Sequence, residues 1–212
     1  DLAAAVDHYQ AALQRWQQTG SYGPWANTLN GLGVVYYQQG EYDKALPILK
    51  DALNRSQQAG DLRVEAFTWA SLGDLHRDLG AYDRARQSYT QALEVANRAH
   101  VGFIVTYALD ALGNTHCLQG NLIQARKRLQ SAIGYAEDHK STYEIGLCHV
   151  SLGILAREEG DRVAARHHLD HAVDLFATGG FRQELARARL HRAQVAYLAG
   201  QEDVALDDLR ES

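Results

Sequence analysis

Glycine returns every 40 residues along this chain, with Gly40, Gly80, Gly120, Gly160 and Gly200 in one register and no slippage. A period of that length means that one supersecondary unit is copied and stacked, because a single copy cannot bury its own apolar face. Other columns keep the register. A Leu-Gly pair precedes the first four turn glycines, at Leu32-Gly33, Leu72-Gly73, Leu112-Gly113 and Leu152-Gly153. Alanine follows each turn at Ala45, Ala85, Ala125, Ala165 and Ala205, and then come Ala52-Leu53, Ala92-Leu93, Ala132-Ile133 and Ala172-Val173. The opening residues fit the same frame, with Ala5, Ala12-Leu13 and Gly20 matching Ala45, Ala52-Leu53 and Gly60.

Each repeat reads as two helices. The first helices are predicted at about 24–39, 62–79, 102–119, 142–159 and 182–199, and their partners at about 42–59, 82–99, 122–139 and 162–177. Apolar residues in the first partner fall at Ala45, Leu46, Leu49, Ala52 and Leu53, a helical stripe without strand-like alternation. Gly40 and its equivalents stand where the first helix must stop, a position that favours a left-handed backbone. Asp61, Asn121 and Asp161 are expected to cap the helices that follow them. Pro24 suits a first helical turn, whereas Pro47 falls inside a helix and removes one of its hydrogen bonds. Gly33 and Ala45 leave little bulk between antiparallel neighbours, so the backbones can approach while Leu32, Tyr36, Leu49 and Leu53 fill the space beside them. The expected architecture is all-α, a right-handed α-solenoid of antiparallel helix pairs.

The composition narrows the function. The chain has 212 residues and a net charge of −5, which lacks the basic face of a nucleic-acid binder. Its 46% hydrophobic content is that of a folded chain. It has no apolar run long enough for a membrane span and no signal-peptide pattern at its start. Cys117 and Cys148 are too few for a disulfide framework, so a reducing, cytoplasmic setting is expected. No phosphate-binding loop, Gly-x-Ser-x-Gly elbow or His-Glu-x-x-His motif occurs, and no catalytic activity or cofactor is predicted.

The order Leu-Gly, an aromatic or histidine three residues on, a turn glycine, then Tyr and Ala resembles the tetratricopeptide repeat. Tyr36, Gly40, Tyr42 and Ala45 carry that pattern, and Gly80, Tyr82 and Ala85 carry it again. Forty-residue units ending in Gly60-Asp61 look like the sensor arrays of MalT-type bacterial transcriptional regulators, in which the superhelix carries the inducer site. Similar units occur in eukaryotic polarity adaptors, and Leu112-Gly113-Asn114-Thr115-His116 suits either group. Abundant Ala and Arg beside only four lysines point to a GC-rich genome and to the bacterial reading. Residues 1–212 then form one solenoid. It comprises a lone second helix (1–20), full units at 21–60, 61–100, 101–140 and 141–180, and a partial unit at 181–212. The unpartnered helix at Leu2–Gln18 and the absence of Met suggest a piece of a longer array, able to self-associate through its open ends.

The resemblance implies that first helices line an inner, concave surface. In the repeat frame the groove positions lie six and three residues before, and one, four and five after, the first-helix glycine. Those positions vary while the packing columns repeat, as expected of a scaffold with a specific surface. The candidate contacts are Asn27, Asn30, Tyr37, Asp74, Arg77, Tyr107, Asp110, Asn114 and Arg157. Aromatic faces beside hydrogen-bonding groups suit a peptide or a small molecule. Alternatively, Asp74, Arg77 and Asp110 pair with one another on a solvated face. His167 and His171 lie one helical turn apart, a chelating spacing. Leu169 and Ala172 mark the packing face, however, so His167, His168 and His171 are expected to point outward, and no metal site is predicted. The expected function is a non-catalytic ligand- or peptide-binding scaffold, the sensor region of a bacterial transcriptional regulator, with a protein–protein adaptor as the alternative. Partners are a protein, a peptide or a small inducer, together with other domains of the same chain, and no nucleic acid or membrane. Ala85→Leu is expected to overpack the helix pair and to lower stability by ~1–3 kcal/mol in urea unfolding.

Overall fold

The computed structural model describes residues 2–210, which form eleven α-helices. They are α1 (Leu2–Thr19), α2 (Tyr22–Gln38), α3 (Tyr42–Ala59), α4 (Leu62–Asp78), α5 (Tyr82–Ala99), α6 (Gly102–Leu118), α7 (Leu122–Asp138), α8 (Thr142–Glu158), α9 (Arg162–Gly179), α10 (Arg182–Leu198) and α11 (Glu202–Arg210). No strand occurs among the described residues. The elements are those of an α-solenoid of helix pairs. The chain divides into two compact halves, Asp1–Ala108 and Leu109–Ser212. In the first, α1 packs on α2, α2 pairs with α3, α3 meets α4, and α4 pairs with α5. In the second, α7 packs on α8, α8 pairs with α9, and α10 packs against both α9 and α11.

The helix ends obey local chemistry. The Asp61, Asn121 and Asp161 side chains accept from the backbone N–H groups of Val64, Gln124 and Ala164 at 3.1, 3.4 and 2.9 Å, as expected of N-caps. Ser141 caps α8 in the same way through Glu144 at 3.5 Å. At Gly40 the backbone turns left-handed (φ +77°), and the N–H of Glu41 reaches back to the carbonyl of Tyr36 at 2.9 Å, which closes α2. Helix α2 starts two residues before Pro24. This is compatible with proline, because N–H groups in a first turn have no intrahelical partner.

Packing follows from the Leu-Gly column, with one refinement of the expected Gly–Ala contact. A methyl at Gly33 would lie 2.6 Å from Leu49 Cδ2, so the leucine side chain itself occupies the place of the missing Cβ. The same knob recurs as Leu129 on Gly113 and Leu169 on Gly153. Ala125 and Ala165 contribute backbone carbonyls 3.3 Å from the missing methyl. Leu49, Leu129 and Leu169 are all buried, each removing about 1.5–3 kcal/mol worth of side chain from water. Ala85 is fully buried at its pair contact.

Arg192 departs from the column in which Leu32, Leu72, Leu112 and Leu152 stand. It donates to Asp170 of α9 at 2.9 Å and to Asp208 of α11 at 2.9 Å, and Asp208 is only 5% exposed. The last repeat is therefore joined by an ion triad where the earlier ones use leucine.

Two glycines separate packing from helix propensity. Gly113→Ala should destabilise the chain in urea unfolding, the overlap costing ~1–3 kcal/mol against a propensity gain of at most about 1 kcal/mol. Gly134→Ala, in α7 with nothing within 4 Å of the added methyl, should stabilise it by about 0.5–1 kcal/mol.

Candidate functional site

In the first half, α2, α4, α5 and α6 bring one polar network together around Asp74. Tyr107 of α6 donates its hydroxyl to the Asp74 carboxylate at 2.6 Å, and Tyr89 of α5 donates to it at 2.7 Å. Arg77, one turn along α4, approaches the same carboxylate at 3.3 Å and donates to Asp78 at 3.1 Å. Tyr37 of α2 completes the chain by donating to Asp78 at 2.6 Å. The predicted residues Tyr37, Asp74, Arg77 and Tyr107 therefore meet, with Asp78 between two of them. Asp74 is not on a solvated face: its side chain is 18% exposed, and its partners come from three helices.

Tyr89 is the member that groove spacing does not reveal. It is fully buried and occupies the column of Leu49, Leu129 and Leu169, pressed on Gly73 with a notional methyl 2.4 Å from its ring. A tyrosine in a leucine column is the signal that marks it. It makes the knob contact with its ring and reaches Asp74 with its hydroxyl. Burial raises the Asp74 carboxyl above its ordinary range, against the opposing pull of Tyr107, Arg77 and Tyr89. The contribution of Asp74 to stability is thus fullest below its ordinary value of 3.8 and falls as pH rises through the raised one. Burial and the Asp78 carboxylate likewise push the Tyr37 phenol upward.

Asn27 lies exposed on α2. Asn30 is half-buried, and its Oδ1 is enclosed without a hydrogen-bond partner among the described residues.

The second half holds its own polar contacts. Asn114 donates to Asp110 at 2.8 Å and to Ser151 of α8 at 3.0 Å. Arg157 bonds to Gln194 of α10 at 2.6 Å and to the neighbouring Glu158 at 2.9 Å. In the same half Leu118, Leu190, Tyr197 and Leu198, all on first helices, are exposed. Cys117 is half-buried beside Leu122 and Leu129, and Cys148 is fully buried. Burial raises both thiols, away from the thiolate character that reactivity needs.

His167 and His171 are exposed, as expected, but His168 is not. It turns toward α8, where its Nδ1 lies 3.0 Å from Nδ1 of half-buried His149. The outward assignment fails because α8 carries a polar ring at that point, where the equivalent positions are Leu29, Trp69 and Leu109. Among the described residues no three His, Cys, Asp or Glu side chains are arranged to hold a metal ion. Nor is any described helix long and apolar enough to cross a membrane.

Stacked antiparallel helix pairs with constant seams and a variable first-helix face define a helical repeat scaffold. The tetratricopeptide repeat family matches residues 1–58, 25–98 and 64–138, and the chain belongs to it. Among solved structures it is similar to the apo form of the quorum sensor NprR from B. thuringiensis, at 16% identity and a TM-score of 0.81, over 97% of this chain and 58% of that one. BtubC from P. vanneervenii gives 16% identity and 0.77, over 99% and 89%. A Rap protein complexed with Competence and Sporulation Factor gives 15% and 0.75, over 98% and 62%. This chain thus spans about three fifths of the NprR and Rap chains. No curated protein sequence matches it. At these identities the likeness is one of fold.

Tyr89→Phe is expected to cost about 1–3 kcal/mol in urea unfolding at neutral pH, because a buried bond to a carboxylate is lost. In an Asp74→Ala background the same substitution should cost clearly less. An equal cost in both backgrounds would show that the bond adds nothing.

Proposed function

We propose that the chain is a non-catalytic binding scaffold whose first-helix face seats an extended peptide or a small molecule. The observation that carries this reading is the contrast between columns. Gly33, Gly73, Gly113 and Gly153 repeat with their knobs, while the positions beside them change from Asn30 to Asp110 and from Tyr37 to Arg157. The Asp74 network holds its own side chains rigidly before any ligand arrives, which lowers the ordering cost of binding. Arg77 and Asp78 stay partly open at its rim, at 26% and 35% exposure. Two structural neighbours support a sensing role, since one is a quorum sensor and another was captured with Competence and Sporulation Factor. On this reading the solenoid works in the cytoplasm as the sensor region of a bacterial transcriptional regulator, and the ligand biases the rest of that protein.

A protein–protein adaptor is the second reading. Ile123 and Val163, each 82% exposed at equivalent points of α7 and α9, favour it, because Asp43, Asp83 and Asp203 stand there in the other repeats. Selection of a displayed random-peptide library on the immobilised chain, followed by calorimetric titration of the recovered sequences, distinguishes the two. Asp110→Ala, Asn114→Ala and Arg157→Ala, all in the second half, should weaken binding about tenfold or more, roughly 1.4 kcal/mol, with Ile123→Asp without effect. Sequences that bind all three groove variants as well as the parent, yet fail on Ile123→Asp, would end the groove reading in favour of the adaptor.

A further inference from the structure

Four imidazoles gather in the 141–180 repeat. Ring centroids of His149 and His168 lie 5.3 Å apart, His149 and His171 5.1 Å, His167 and His168 6.0 Å, and His167 and His171 4.6 Å, so the rings form a closed circuit. Its inner link is the 3.0 Å Nδ1–Nδ1 contact between α8 and α9, both partners half-buried. Such a contact is one N–H donated to one lone pair, and two imidazolium rings have no lone pair to offer. We propose that this cluster makes the α8–α9 pair a proton-operated latch, closed while His149 and His168 are neutral and loosened as they take up protons.

The surrounding charges act in one direction. Facing His149, α9 presents His167, His168 and His171. Facing His168, α9 presents His167 and His171, and α7 presents Arg126, itself paired with Glu159 just past the end of α8. From α10, Arg192 is directed to Asp170 and Asp208. Each imidazole that ionises therefore makes the next ionisation harder. Burial first, then these neighbours, push His149 down from 6.5 to about 4, and His168 moves the same way. The open state, with ordinary histidines, binds more protons than the closed one below 6.5. Closure is thus fully favoured above that value and is lost as pH falls toward about 4. From pH 7.5 to 5.5 the shift of His149 alone raises the opening equilibrium about tenfold.

Native-state hydrogen exchange on the full chain, followed at pH 7.5 and 5.5 and corrected for intrinsic rates, reads this directly. The α8 and α9 amides should lose about tenfold in protection, more than those of the α2–α3 pair, which carries no histidine. His149→Phe, which keeps an aromatic ring and removes the titration, should abolish most of that difference. A uniform loss across both pairs, or an undiminished loss in His149→Phe, overturns the latch. Should the variant fail to fold, ring-carbon NMR titration of the parent decides. His149 and His168 must titrate below an ordinary histidine, and ordinary midpoints for both would reject the proposal.

Discussion

Where two helices of a repeat come closest, one of them has no side chain, and a residue of the other fills the gap. Gly33, Gly73, Gly113 and Gly153 each face a knob that a single methyl would strike at 2.4–2.7 Å. This one contact sets the distance between the helices of a pair, and hence how the next pair can stack on it. Every other packing choice is made around it: alanines where backbones run close, and leucines where they diverge. Because the contact returns at a fixed interval, the chain can vary the outward residues of its first helices without disturbing the spacing.

Most of the helix boundaries were legible because they rest on local rules. Asp61, Asn121 and Asp161 cap the helix they precede, and a left-handed glycine ends the first helix of each full repeat. Such signals act over three to six residues and need no tertiary context. The same frame picked out Tyr37, Asp74, Arg77 and Tyr107, which meet in one polar network. What the frame conceals is the exception within a packing column. Tyr89 among leucines, His149 among large apolar residues and Arg192 among leucines all look like ordinary drift in a repeat. Each takes a polar partner 15–22 residues away, on another helix, which periodicity alone does not identify. The outward reading of His168 failed for that reason, because its direction was decided by a residue on the opposite helix.

These exceptions share a design. Each keeps the bulk that its column requires and adds a polar end that reaches beyond the apolar seam. The tyrosine hydroxyl ends on Asp74, the imidazole on His168, and the guanidinium on Asp170 and Asp208. Chains alike in fold at 11–18% identity can differ in behaviour through a few such replacements. They install chemistry in a scaffold without altering its geometry.

Tyr89 has a mechanical meaning as well. Its ring is clamped against Gly73 while its hydroxyl holds the Asp74 carboxylate at the centre of the network, so one stiff side chain joins the helix seam to the polar cluster. Leucine at that position would fill the seam and leave Asp74 without that bond.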